Sequence, residues 1–261
     1  MILFSTVVAA FLAFTILWAV SIARSDASIV DFYWGPGFVV IAWLAWLLSN
    51  PRLATDLIIV APVTLWGLRL GWYMTARHRG VEDARYAAIR KRHGPGFGRR
   101  SLWIVFWLQA AIQWVASSPV LTVAAAPGGL KALQIFSPLG LGAVALGLLA
   151  FVAGFAVEVA ADRAVARFKA DPANRGRLLT TGLRGWVRHP NYLGEIVLQW
   201  GLGLIAFGMT LNPLAFIGPA LMHGLVVKLS GVPMLEAQLS ARGGFADWRA
   251  RTGALWPRFR R

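Results

Sequence analysis

The chain has 261 residues, of which 57% are hydrophobic and 14% charged, well below the roughly 25% charge of soluble domains. It carries 26 Lys and Arg against 11 Asp and Glu, a formal net charge of +15, and no cysteine. This composition excludes disulfides, thiolate metal sites and a cysteine nucleophile. In so apolar a chain the basic excess reads as positive-inside topology rather than nucleic-acid binding.

A bilayer span needs about 20 mostly apolar residues. From the N-terminus the sequence predicts spans at Ile2 to Ala23, Ala27 to Leu48, Ala54 to Met74, Leu102 to Ala125, Ile135 to Ala161, Tyr192 to Leu211 and Pro213 to Leu229. The expected fold is an all-α integral membrane protein, a seven-transmembrane helical bundle forming one domain over residues 1–261, with a tight turn at Asn212-Pro213. Charge orients it. Eight Lys and Arg lie between Arg77 and Arg100, seven between Arg163 and Arg188 and seven between Lys228 and Arg261, whereas Arg52 and Lys131 lie on the other side. The N-terminus is therefore expected outside and the C-terminus in the cytoplasm, as in a bacterial inner membrane. The basic run Arg90 to Gly96 reads as a headgroup-contacting loop.

Ionisable groups within spans cost at least about 2.5–3.5 kcal/mol on insertion scales and need partners or a function. In span two, Asp31 is followed by Phe32, Tyr33, Trp34, Gly35, Pro36 and Gly37. An aromatic box beside a carboxylate suits a flat apolar substrate, and the glycines and proline are expected to let a ligand approach the backbone. The alternative is an Asp that caps the helix or reaches the interface. In span three, Arg69, Tyr73 and Arg77 are spaced four apart and form one polar stripe. Arg69 reads either as an ion-pair partner of Asp31 or as a contact for a phosphate or cofactor amide. Gln109, Gln113 and Ser117 repeat that spacing and read as interhelical hydrogen bonding. Glu158 and Asp162 at the end of span five, with Arg163, Arg167 and Lys169 beyond, read as a salt-bridged helix end or as carboxylates for nucleotide hydroxyls with cations for phosphates.

The densest run is Gly185-Trp186-Val187-Arg188-His189-Pro190-Asn191-Tyr192-Leu193-Gly194-Glu195. Pro190 suits the first position of a helix. Asn191, Glu195 and Gln199 then share a face, and a helix N-terminus flanked by Arg188 and His189 reads as an anion site.

This run resembles the C-terminal signature of the steroid 5-alpha-reductase family, most of all its bacterial branch of uncharacterised membrane proteins. Related sterol reductases share Arg-His-Pro-Asn-Tyr-x-Gly-acid, and phospholipid and isoprenylcysteine methyltransferases share the shorter Arg-His-Pro-x-Tyr. The resemblance implies a seven-span bundle that binds NADPH from the cytoplasmic side and reduces a lipophilic conjugated enone. It implies nucleotide contacts at Asn191, Tyr192 and Glu195, with Asp162, Lys169 and Arg177 on the preceding segment, and it implies a substrate-polarising acid at Asp31, aided by Tyr33 or Tyr73. Lys228 and Ser230 are candidates to meet phosphate, Arg77 is a further candidate cofactor contact, and Phe245 to Pro257 resembles the family's lid. The partners so implied are a lipophilic small molecule and membrane lipid, with no protein partner. No Rossmann glycine pattern, P-loop, zinc motif or serine-hydrolase elbow occurs. The rival expectation is an S-adenosylmethionine-dependent lipid methyltransferase, and the non-enzymatic one a lipid-binding or transport module.

Overall fold

The computed structural model describes residues 1–78 and 80–258. It is all α-helical, and among the described residues the only extended pairing is an isolated parallel bridge between Val187 and Gly253. The long helices are α1 (Ile2–Arg24), α2 (Val30–Leu48) and α3 (Leu57–Arg77), followed by the amphipathic α4 (Ala84–His93). A helical turn and a π-helical stretch, Leu102–Trp107, lead into α5 (Leu108–Ala116), then α6 (Ser118–Ala125) and α7 (Gly128–Ile135). The C-terminal part comprises α8 (Pro138–Ala170), α9 (Pro190–Thr210), α10 (Ile217–Lys228), α11 (Val232–Leu239) and α12 (Phe245–Arg251). Among the described residues six helices are long and apolar enough to cross a membrane, or seven when the bent pair ending at Ala125 counts as one.

That pair corrects the fourth expected span. The helix from Ala84 to Ala116 meets α6 at 54°, because Pro119 lacks the N–H that would continue the ladder. The fifth span also shifts. Its helix begins at Pro138, since Ile135 belongs to α7, and continues to Ala170.

The chain forms two compact units. Unit 1 comprises Met1–Val144 and Ile205–Gly218, and unit 2 comprises Ala145–Leu204 and Pro219–Arg261. Glycine sets the closest helix crossings in both, as expected where packing rather than hydrophobicity draws helices together. In unit 1 a Cβ on Gly67 would lie 2.6 Å from Gly35 O, and one on Gly208 would lie 2.6 Å from Gly140 O. In unit 2, Gly201 lies against Gly147 and Gly194 against Gly154, with built Cβ distances of 2.7 and 2.5 Å to the facing carbonyls. The glycines recur every seven residues on α8 (140, 147, 154) and α9 (194, 201, 208), which sets an antiparallel register between the two helices. Gly35 and Gly37 are thus committed to packing, on Gly67 and on the Gln113 side chain, not to the ligand approach that their sequence suggests.

One charge departs from the loop assignment. Lys131 is fully buried on α7 and donates to both oxygens of buried Asp56, at 2.9 and 2.7 Å. Such a pair costs desolvation to form but strongly penalises loss of either partner.

Candidate functional site

In unit 2 the N-terminus of α9 is built by the residues before it. Pro190 opens the helix, and the preceding backbone runs beside the C-terminal segment. Arg188 N donates to Gly253 O at 2.8 Å and His189 N to Ala254 O at 3.0 Å. Leu255 and Ala254 pack with Ile196, Tyr192 and Val226, while Phe245 and Trp248 pack on Leu239 and Leu178. The tail therefore covers the first turns of α9.

A carboxylate that the sequence reading missed organises this end. Glu236 on α11 accepts from Arg188 Nε at 2.9 Å, from Arg188 Nη2 at 2.5 Å and from His189 Nε2 at 3.0 Å. Arg249 approaches its other oxygen at 3.7 Å. Arg188 Nη1 also donates to the carbonyls of Thr252 and Arg249. The guanidinium is buried and its donors are engaged by Glu236 and by two carbonyls of the C-terminal segment. The sequence signal lay in an acid on the first turn after Pro233, facing a run rich in Arg.

His189 presents a different chemistry from the one expected. Burial holds its imidazole at about 4, below the ordinary 6.5, and the hydrogen bond to Glu236 only partly offsets this. The ring is neutral at pH 7. Because Nε2–H donates to Glu236, Nδ1 carries a lone pair. That Nδ1 is buried without a hydrogen-bond partner, and so is Asn191 Oδ1. Two buried acceptors thus sit unmatched, although buried polar groups are nearly always paired.

The α8–α9 register sets acids beside them. A Cβ on Gly194 would lie 2.6 Å from Glu158 N, so Glu158 and Asp162, both buried, are level with the first turns of α9. Glu195 accepts from buried Gln199 at 3.0 Å, as the shared helix face predicts. The Tyr192 ring lies 5.7 Å from that of His189. The cluster is rich in acceptors and fits a ligand offering O–H and N–H groups, such as ribose hydroxyls and amide or amino nitrogens. Lys169, Arg177 and Lys228 are exposed and belong to the same unit. Among the described residues no group of three or more His, Asp or Glu is placed to hold a metal.

Unit 1 holds the residues expected to act on substrate. Asp31 accepts from Arg85 Nη2 and from Tyr86 OH, each at 2.6 Å, and Gln109 Nε2 donates to the Tyr86 oxygen at 3.2 Å. Arg85 and Tyr86 on α4 are therefore partners that the sequence reading did not foresee. Both oxygens of Asp31 thus accept, one from a guanidinium and one from a phenol. Tyr33 packs edge-on to Phe14 at 5.5 Å. Arg69 and Arg77 lie over the Tyr73 ring at 4.9 and 5.0 Å, so the polar stripe of span three forms as spaced. Gln113 Nε2 donates to Trp34 O at 2.8 Å, the interhelical bond expected of it. Nearby, hydrogen bonds from Arg90 hold Glu82 below the usual carboxylate range.

The family described as "Protein of unknown function (DUF1295)" matches residues 17–252. The chain belongs to the DUF1295 family. This DUF1295 chain is also similar to "Probable O-methyltransferase ustE" from Ustilaginoidea virens, at 36% identity over 66 residues. That match covers 25% of the chain and spans only 23% of the relative's length. No solved structure matches significantly. For this DUF1295 member the family thus gives membership without an activity.

Proposed function

We propose that the chain is a membrane-embedded, NADPH-dependent reductase of a lipophilic conjugated enone, with the nucleotide held at the α9 N-terminus on the cytoplasmic side. The observation that carries this reading is the pair of buried, unmatched acceptors, His189 Nδ1 and Asn191 Oδ1, beside Glu195 and the acids Glu158 and Asp162. Asn191 stands at the position where the reductase-like signature has its asparagine and the shorter methyltransferase-like pattern does not fix a residue.

In this reading Asn191 and His189 accept hydrogen bonds from amide, amino or hydroxyl donors of the cofactor, and the carboxylates accept from its ribose. The exposed Lys169, Arg177 and Lys228 supply cations for phosphate. The bound cofactor supplies a hydride for the β-carbon of the enone. In unit 1, Asp31 serves by fixing Arg85 and Tyr86. The phenols of Tyr33 and Tyr73 and the guanidinium of Arg69 are the donors on spans two and three suited to polarising a carbonyl.

A second reading, an S-adenosylmethionine-dependent methyltransferase, is favoured by the partial likeness to a probable O-methyltransferase. An acceptor-rich pocket also suits an ammonium and ribose hydroxyls.

Thermal shift of the purified protein with NADPH, NADH and S-adenosylmethionine separates the two. A ligand at about 100 times its Kd stabilises by about 2.7 kcal/mol. The reductase reading expects NADPH to raise Tm and Asn191→Ala and Glu195→Ala to abolish the rise. A response to S-adenosylmethionine alone would select the second reading, and a response to none would remove both.

A further inference from the structure

Unit 1 contains a cavity of about 490 Å³, lined in part by Trp114, Leu121, Ala125, Leu130, Asn212 and Ile217, within the size range of small-molecule sites. The break between α5 and α6 forms one of its walls. Its occupant can be read from the state of the polar groups along it. Ser118 Oγ accepts from Gly218 N at 2.8 Å and donates to Ala215 O at 3.4 Å. Thr122 and Thr210 donate to Pro119 O and Ala206 O, at 2.9 and 2.7 Å, and Trp114 Nε1 donates to Thr6 Oγ1 at 3.1 Å. The hydroxyls and the indole N–H are therefore already matched within the protein. A ketone carried into the middle of this cavity would have to compete for those donors or stay unpaired, which disfavours ligands with a carbonyl at that depth. A plain hydrocarbon has no such cost.

One polar group is left over. Asn212 Oδ1 accepts from Leu214 N at 3.0 Å, and its amide N–H₂ donates to no group among the described residues. Asn212 lies at the turn between α9 and the helical turn Pro213–Phe216, at one end of the cavity. The rim is apolar and exposed. Leu214 and Leu3 are about half exposed, and Leu130 and Ile217 are exposed beside them. In a membrane-spanning chain an exposed apolar rim of this kind suits contact with lipid hydrocarbon.

From these observations we infer that the cavity holds one acyl chain of a bilayer lipid, with the chain among Trp114, Leu121, Leu130 and Ile217 and the ester carbonyl accepting from the Asn212 amide. On the charge-derived orientation this is the outer leaflet. The site is distinct from the α9 N-terminus and does not depend on the cofactor reading.

The test uses the full-length protein in nanodiscs made with a phosphatidylcholine that carries a mid-chain diazirine in one acyl chain. After photolysis, labelled peptides are quantified. Labelling over residues 121–130 and 210–217 is expected to exceed, several-fold, that on the exposed Trp43 and Leu47 face of α2. Ala125→Trp, which fills the cavity, should reduce it several-fold while leaving the α2 label unchanged. Asn212→Asp keeps the acceptor for Leu214 N but removes the donor and repels the ester, and it should also lower the label. Labelling no higher than on the α2 face, or unchanged in both variants, would reduce the cavity to ordinary lipid contact and overturn the inference. Displacement of the label by a free isoprenoid alcohol would also overturn it, by reassigning the occupant.

Discussion

Two polar clusters stand out in this chain, and they resolve oppositely. Around Asp31 both carboxylate oxygens are taken, by Arg85 and Tyr86, and Gln109 supports the phenol. Around Pro190 the opposite holds. Arg188 is fully engaged by Glu236 and the tail, yet His189 Nδ1 and Asn191 Oδ1 stay buried and unmatched. A satisfied cluster explains itself as structure. An unsatisfied one retains a cost of roughly 1–3 kcal/mol per group, and a ligand that donates to it would recover that cost. Under the proposed reading, the contrast assigns ligand binding to unit 2 and leaves Asp31 to fix Arg85 and Tyr86.

The largest expected effect falls on the clasp. Glu236→Ala leaves Arg188 buried and unpaired, and should cost about 3–5 kcal/mol, read as a fall in Tm without ligand. An unchanged Tm would mean that the clasp does not hold the tail. Next comes pH. His189 titrates at about 4 in the fold and near 6.5 when unfolded. Between those values the unfolded chain binds a proton that the folded chain does not, so stability falls as pH drops from 6.5 to 4, by about 3 kcal/mol in all. It levels off again below that window. Thermal melts across the window should show this slope, and His189→Asn should flatten it. A wild-type melt independent of pH there would place the imidazole in water.

Packing comes third. A Cβ at Gly194 meets backbone atoms of Gly154 and Glu158, so Gly194→Ala should cost about 1–3 kcal/mol through overpacking and should weaken any ligand response by moving the acids of α8. Smallest is Tyr86→Phe. It removes one bond to Asp31 and should cost about 1 kcal/mol, seen as a small drop in Tm with the nucleotide response retained. A lost response would return Asp31 and its neighbours to the binding site.

Much of this was legible in the sequence. Apolar runs marked the membrane-spanning character, Pro190 marked the start of α9, and the spacing of Glu195 and Gln199 gave their bond. The polar stripe of Arg69, Tyr73 and Arg77 also formed as spaced. What escaped was long-range pairing. Nothing near Asp31 in sequence names Arg85 and Tyr86, which arrive from a helix more than 50 positions away, and nothing near Arg188 names Glu236. The Ser117–Pro119 break hid inside an apolar run whose hydropathy does not register a bend. The seven-residue glycine spacing on α8 and α9 gains meaning only when the two helices are set antiparallel.

The most direct test compares Asn191→Ala with the wild type in two respects. Removing a buried acceptor that has no donor should leave the unliganded Tm unchanged or slightly raised, while calorimetric titration with NADPH should lose its heat. A clear loss of unliganded stability with NADPH binding intact would contradict the account, because Asn191 would then be a structural residue with its partner inside the protein.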